Sequence, residues 1–118
     1  MEEAEHLSEP WFSLISLGLK TVEGRLNEGL YNSIKTGETI HFFNDDFSFK
    51  RLITIEVVGK CLYNSFFEYL TNEDLEMCLP GIEDVGKGIQ VYRKYYTEQE
   101  EKEKGVVALK IRLIKKFT

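Results

Sequence analysis

Cysteine and histidine are both scarce in this chain, with two of each in 118 residues. Cys61 and Cys78 have no metal-ligand spacing and read as reduced thiols of an intracellular protein. His6 and His41 are too few and too scattered for zinc, so neither a metal nor another cofactor is expected. No apolar run approaches the roughly 18 residues of a membrane-crossing helix. Met1 to His6 is acidic and lacks the apolar stretch of a secretory leader. The expectation is a cytoplasmic protein, or a nuclear one if eukaryotic, without membrane contact. Positive charge is also in deficit, with a formal net charge of −5. That excludes a surface coating nucleic acid indiscriminately, while leaving room for a local basic pocket. Repeats, low-complexity tracts and linkers are missing too, which points to one domain over residues 1–118.

What the chain does have is apolar and aromatic side chains, at 42% and 13%, enough for a real core. Ser8 reads as a helix N-cap and Pro10 as a first-turn residue. Trp11, Leu14 and Ile15 then make a helical apolar stripe, widened by Phe12 and Leu17. Gly18 falls where a left-handed residue ends a helix, with Leu19 placed for the apolar contact that follows such caps. Thr21 to Arg25 is short enough for a strand, on which Glu23 and Arg25 share a face. Lys20, Glu23 and Arg25 thus form a charged cluster on a rigid mount.

Asn27, Glu28 and Gly29 make a turn before a short helical piece at Leu30–Ile34, and Thr36-Gly37 turns into a strand over Glu38–Asn44. Phe47 and Phe49 punctuate the polar loop that follows; they read as a barrel lid or a stacking platform. Arg51–Leu62 is the longest β-rich stretch, with Gly59 as a bend or bulge. Ser65-x-x-Glu68 starts a helix through Leu70. Thr71 or Asn72 caps another ending before Pro80-Gly81, and Asp84 opens a third. Thr97-x-x-Glu100 opens a charged last helix that Gly105 stops. The final strand alternates Val107, Leu109, Ile111 and Leu113 with Ala108, Lys110 and Arg112.

The run Gly18-Leu19-Lys20-Thr21-Val22-Glu23-Gly24-Arg25 matches G-x-K-x-x-E-x-R, the signature of the ASCH (activating-signal cointegrator homology) family. The resemblance continues through Lys35-Thr36-Gly37-Glu38, the strand ending Phe43-Asn44-Asp45, Tyr92-Arg93-Lys94-Tyr95-Tyr96 and the closing Gly105–Ile111. It covers nearly the whole chain in order. It implies an α+β fold, a PUA-like mixed β-barrel of about five or six strands with several short helices.

Lys20 offers a compact charge to phosphate, and Arg25 a planar fork for phosphate or a base edge. Glu23 steadies both or accepts from an exocyclic amine; the bland alternative is a silent Glu23–Arg25 surface pair. Gly24 lets a ligand or another backbone come close. Tyr92 and Tyr96 read as core, whereas Tyr95 is the tyrosine for a ligand, with Arg93 beside it. Asn44 presents its amide to a base edge or caps the next loop. Lys50, Arg51, Arg93 and Lys94 are expected to converge with Lys20 and Arg25. Cys61, Cys78 and His41 read as structural.

The resemblance implies first an RNA- or nucleotide-binding module acting in RNA metabolism or its regulation. The second reading is a hydrolase acting on RNA or on a modified nucleoside, with Lys20 and Glu23 catalytic. Some small bacterial ASCH proteins hydrolyse the acetyl amide of acetylcytidine with a lysine, a threonine nucleophile and a glutamate. Lys20 matches that lysine, but Glu23 stands at the threonine position, so an acyl-enzyme route does not transfer. A route in which Glu23 activates water while Lys20 polarises the carbonyl takes its place. The third reading is an adaptor whose Thr97–Lys104 helix meets a protein partner.

Overall fold

A computed structural model describes residues 4–117. In chain order it has β1 (Glu5–His6), α1 (Trp11–Ser16), β2 (Val22–Leu26), α2 (Gly29–Ser33), β3 (Thr39–Asn44) and β4 (Arg51–Tyr63). Helices α3 (Phe66–Asn72), α4 (Leu75–Cys78), α5 (Val85–Arg93) and α6 (Glu98–Lys104) follow, and β5 (Val106–Phe117) closes the sheet. The five strands lie in the order β1-β3-β4-β5-β2. Only β1–β3 is parallel; the other pairs are antiparallel. The long β4–β5 ladder breaks register at Thr54/Ile55 and at Val57/Gly59, the bulge expected at Gly59. The sheet curls into a half-barrel with β1 and β2 at its edges, an α+β fold.

The alternation of β5 divides the interior. Val107, Leu109 and Ile111 join Phe12, Ile15, Ile40, Phe42, Ile53 and Ile55 in one core cluster. Val106 and Ala108 face the other way, into a cluster with Phe66, Tyr69, Leu70, Leu79 and Tyr92. Because β2 is in register with β5, Glu23 lies opposite Leu109 and Arg25 opposite Val107, on the face of the first cluster. Gly24 lies opposite Ala108, on the face of the second.

Local chemistry sets the helix ends. Gly18, at φ 78°, terminates α1 in a Schellman arrangement. Its N–H donates to Ile15 O at 3.0 Å, and that of Leu19 to Leu14 O at 2.9 Å. Leu19 itself is exposed. Ser8 does not cap α1; the Glu9 carboxylate accepts from Ser13 N at 2.8 Å, and the Ser8 hydroxyl is engaged with Tyr95. Asp74, rather than Thr71 or Asn72, caps α4. Asp84 caps α5, and Thr97 and Glu100 form a reciprocal capping box on α6.

Candidate functional site

The stop at Gly18 sends the chain straight into β2, and Thr21 is pinned on both sides. Its N–H donates to Met77 O at 3.1 Å, and its carbonyl accepts from Ile111 N at 2.9 Å. Lys20 therefore starts from a fixed backbone and turns inward. Its Nζ donates to Val22 O at 2.5 Å and to Cys78 O, and lies 3.3 Å from Glu23 Oε1. An ammonium has three N–H groups, and here three acceptors meet them. The second Glu23 oxygen accepts from Arg25 Nε at 2.6 Å. The Arg25 guanidinium lies over Tyr31, 4.7 Å from its centroid, and 5.7 Å from that of Phe42. Side-chain exposures of 1% for Lys20, 6% for Glu23 and 17% for Arg25 remove this cluster from the class of solvated surface pairs.

Burial and charge pull against each other here. Desolvation lowers the Lys20 pKa, with Glu23 opposing. Burial alone would raise Glu23, but Arg25 and Lys20 together hold its carboxyl below the ordinary range. Burial likewise works against the Arg25 cation, and Glu23 more than compensates, raising its pKa.

The cluster borders a cavity of about 190 Å³. Trp11 of α1, Leu79, and Val91 and Tyr92 of α5 supply its apolar lining, with Tyr95 and Tyr96 from the turn beyond. Phe66 holds two of these rings, stacked on Tyr92 at 4.4 Å and on Tyr96 at 5.7 Å. The Tyr92 hydroxyl is paired with that of Tyr69 at 3.1 Å. Tyr95 is 53% exposed and its hydroxyl meets Ser8 Oγ at 2.8 Å, joining the α5–α6 turn to the β1–α1 loop. His6, Leu7 and Ser8 complete that side of the rim.

Of the residues singled out from sequence, Lys20, Glu23, Arg25 and Tyr95 line this cavity; Asn44 and Arg93 do not. Asn44 is buried and its amide is consumed by the loop. Its Nδ2 donates to Leu7 O at 2.9 Å and Asp46 Oδ2 at 2.8 Å, and its Oδ1 accepts from Arg51 Nη2 at 2.8 Å. Arg93 turns to Glu101, 2.6 Å away, beside a separate hollow. Arg51 is paired with Glu9 at 2.9 Å and Lys50 lies on Phe43, both on the β3–β4 hairpin. The six basic residues do not converge; two of them do. Gly24 also serves a different end. A Cβ there would stand 2.5 Å from the buried Tyr69 ring, so the missing side chain admits a core aromatic.

Sequence reasoning missed Trp11, Tyr92 and Tyr96 as cavity residues. Helical spacing marked them as inward-facing, but periodicity does not distinguish a packed core from the wall of a hollow. Among the described residues, His6, Asp45 and Asp46 bring metal-type donor atoms within 4.8 Å of one another. All three are exposed, and Asp46 already accepts from Asn44 Nδ2, Glu9 N and His6, so the group reads as a surface hydrogen-bond cluster.

These features define an α+β half-barrel with a small, aromatic-lined cavity over a buried cation–carboxylate–cation cluster. The chain matches the ASCH domain over residues 6–115 and belongs to that family. It is similar to a solved structure described as the hypothetical protein PH0355, with 35% identity, a TM-score of 0.81, and coverage of 97% of this chain and 100% of that one. It also resembles the solution NMR structure of protein PF0455 from Pyrococcus furiosus, at 39% identity and TM-score 0.75, covering 97% and 98%. No curated protein matches the chain. Among the described residues, no helix is long and apolar enough to cross a membrane.

Proposed function

We propose that the protein is an RNA- or nucleotide-binding module, acting as one domain over residues 1–118, whose cavity receives a single unpaired base or nucleotide. The observation that carries this reading is the buried Lys20–Glu23–Arg25 cluster set against the rings of Trp11, Tyr92, Tyr95 and Tyr96. Burying three charges is costly, and replacing them by packed apolar groups would often be neutral or better for stability. A ligand that uses them is a reason to keep them. Aromatic rings supply stacking surface, Glu23 accepts from an exocyclic amine, and the outer nitrogens of Arg25 donate to a ring acceptor or a phosphate. The cavity suits one heterocycle, and the dispersal of Lys50, Arg51 and Arg93 argues against a long charged track.

Binding is favoured over hydrolysis by the same geometry. A carboxyl held below the ordinary range is a weak general base at neutral pH. The Lys20 ammonium has its three N–H groups already committed. Calorimetry with nucleosides, nucleotides and short single-stranded RNAs, run beside product analysis, tests the proposal. Association without turnover is expected, weakened in Arg25→Ala. Failure of every such ligand to bind refutes it, and turnover abolished by Glu23→Gln would replace it with the hydrolytic reading.

A further inference from the structure

The β3–β4 hairpin carries Phe47 and Phe49, which are 59% and 56% exposed. The two exposed phenylalanines stand on either side of Ser48 at one hairpin tip. Their display is built. Ser48 between them holds the left-handed region at φ 69°, a conformation that disfavours a residue with a side chain. The Arg51 guanidinium lies 5.5 Å from the Phe47 ring and 5.4 Å from the Phe49 ring. Arg51 is itself fixed, by Glu9 Oε2 at 2.9 Å and Asn44 Oδ1 at 2.8 Å. Lys50 adds a second cation, 4.8 Å above Phe43. The hairpin also adjoins the cavity. His6, on the cavity rim, meets Asp46 Oδ1 at 3.3 Å, one residue before Phe47.

We infer that Phe47 and Phe49 form a second stacking platform, which takes an unpaired base of the same strand whose neighbour occupies the cavity. Exposed rings backed by a planar guanidinium and a nearby ammonium are the chemistry of single-strand recognition, where bases stack and cations meet phosphate. Asp45 and Asp46 are turned to His6, and Glu9 to Arg51, so the platform acts mainly through stacking. This rests on the cavity being a base site, and it extends the footprint from one nucleotide to a short single-stranded segment.

The test compares a mononucleotide with a single-stranded trinucleotide, by calorimetry, on wild type, Arg25→Ala and the double variant Phe47→Ala/Phe49→Ala. Because both rings are exposed, the double variant is expected to keep its melting temperature. It should bind the mononucleotide as wild type does and the trinucleotide roughly five-fold to a hundred-fold more weakly. Arg25→Ala should weaken both ligands. Phe47→Leu/Phe49→Leu keeps apolar bulk without a π-face and should behave like the alanine pair. Unchanged trinucleotide affinity in the alanine pair overturns the inference while leaving the cavity reading intact. Self-association of wild type that disappears in that pair, with RNA affinity intact, also overturns it in favour of an interface between copies. A wild type that binds neither ligand overturns both readings.

Discussion

Glu23→Gln is the sharpest single perturbation of the cluster, because it keeps the shape and removes only the charge. The glutamine carbonyl still accepts from Lys20, but its amide N–H₂ then faces Arg25 Nε, donor against donor. Two cations are left without their shared carboxylate. Breaking a buried pair from one side costs about 3–5 kcal/mol. The surviving Lys20 contact and the 17% exposure of Arg25 favour the lower end, about 3 kcal/mol. At about 4 °C per kcal/mol for a chain of this size, the melting temperature should fall by about 12 °C. Urea denaturation at pH 7 reads this as a lower midpoint at unchanged slope.

The pH dependence tests the same cause. Unfolded, Glu23 titrates near the ordinary value of 4.5; folded, it titrates lower because of Arg25 and Lys20. Its contribution is complete above the unfolded value and is lost as pH falls through the folded one. The gap between wild type and Glu23→Gln should therefore be widest at neutral pH and close in acid. A Glu23→Gln variant within about 0.5 kcal/mol of wild type at pH 7 would mean that solvent screens the cluster as it screens surface pairs. The cluster would then not be a preorganised site.

Gly24→Ala should destabilise by about 1–3 kcal/mol through overpacking, since the new methyl would stand 2.5 Å from a ring with no exposed surface to retreat into. In a Tyr69→Leu background most of that cost should vanish, and equal costs in both backgrounds by urea denaturation would refute the contact. Native protein should react with a thiol reagent at one cysteine only. Cys61 is exposed, whereas Cys78 is buried with its pKa raised by burial, so the second equivalent should appear only on unfolding.

The parts of this fold written in local chemistry were legible. Gly18, Asp84, Ser65 and the Thr97–Glu100 box act on backbone groups a few residues away, and each ends or starts a helix where such residues should. The bulge at Gly59 and the alternation of β5 were readable for the same reason. Strand β1 was not, because its two residues owe their conformation to a parallel pairing with Phe42 and Phe43. Pro10 holds the N-cap position of α1, and Glu9 rather than Ser8 serves its first turn because the longer side chain reaches Ser13 N while also meeting Arg51. At the site, i and i+2 spacing placed Glu23 and Arg25 together, and Lys20 reached them from the fixed helix end. The other cations were misplaced because spacing says which face of an element a residue occupies, not which elements meet. Tyr69, whose ring claims the space over Gly24, lies 45 positions further along the chain and left no trace near it.

Charge on the whole molecule and charge in the cavity have opposite signs, and that contrast bears on selectivity. Two cations against one carboxylate leave the cluster with one net positive charge, inside a protein of net charge −5. A long polyanion laid across such a surface would be repelled over most of its length. A single nucleotide entering the cavity meets chiefly the local field, strengthened by the lower dielectric of its apolar lining. An acidic exterior and a buried basic cluster therefore act together on the proposed ligand. The first disfavours duplexes and extended strands, and the second rewards an anion or polar edge small enough for the cavity.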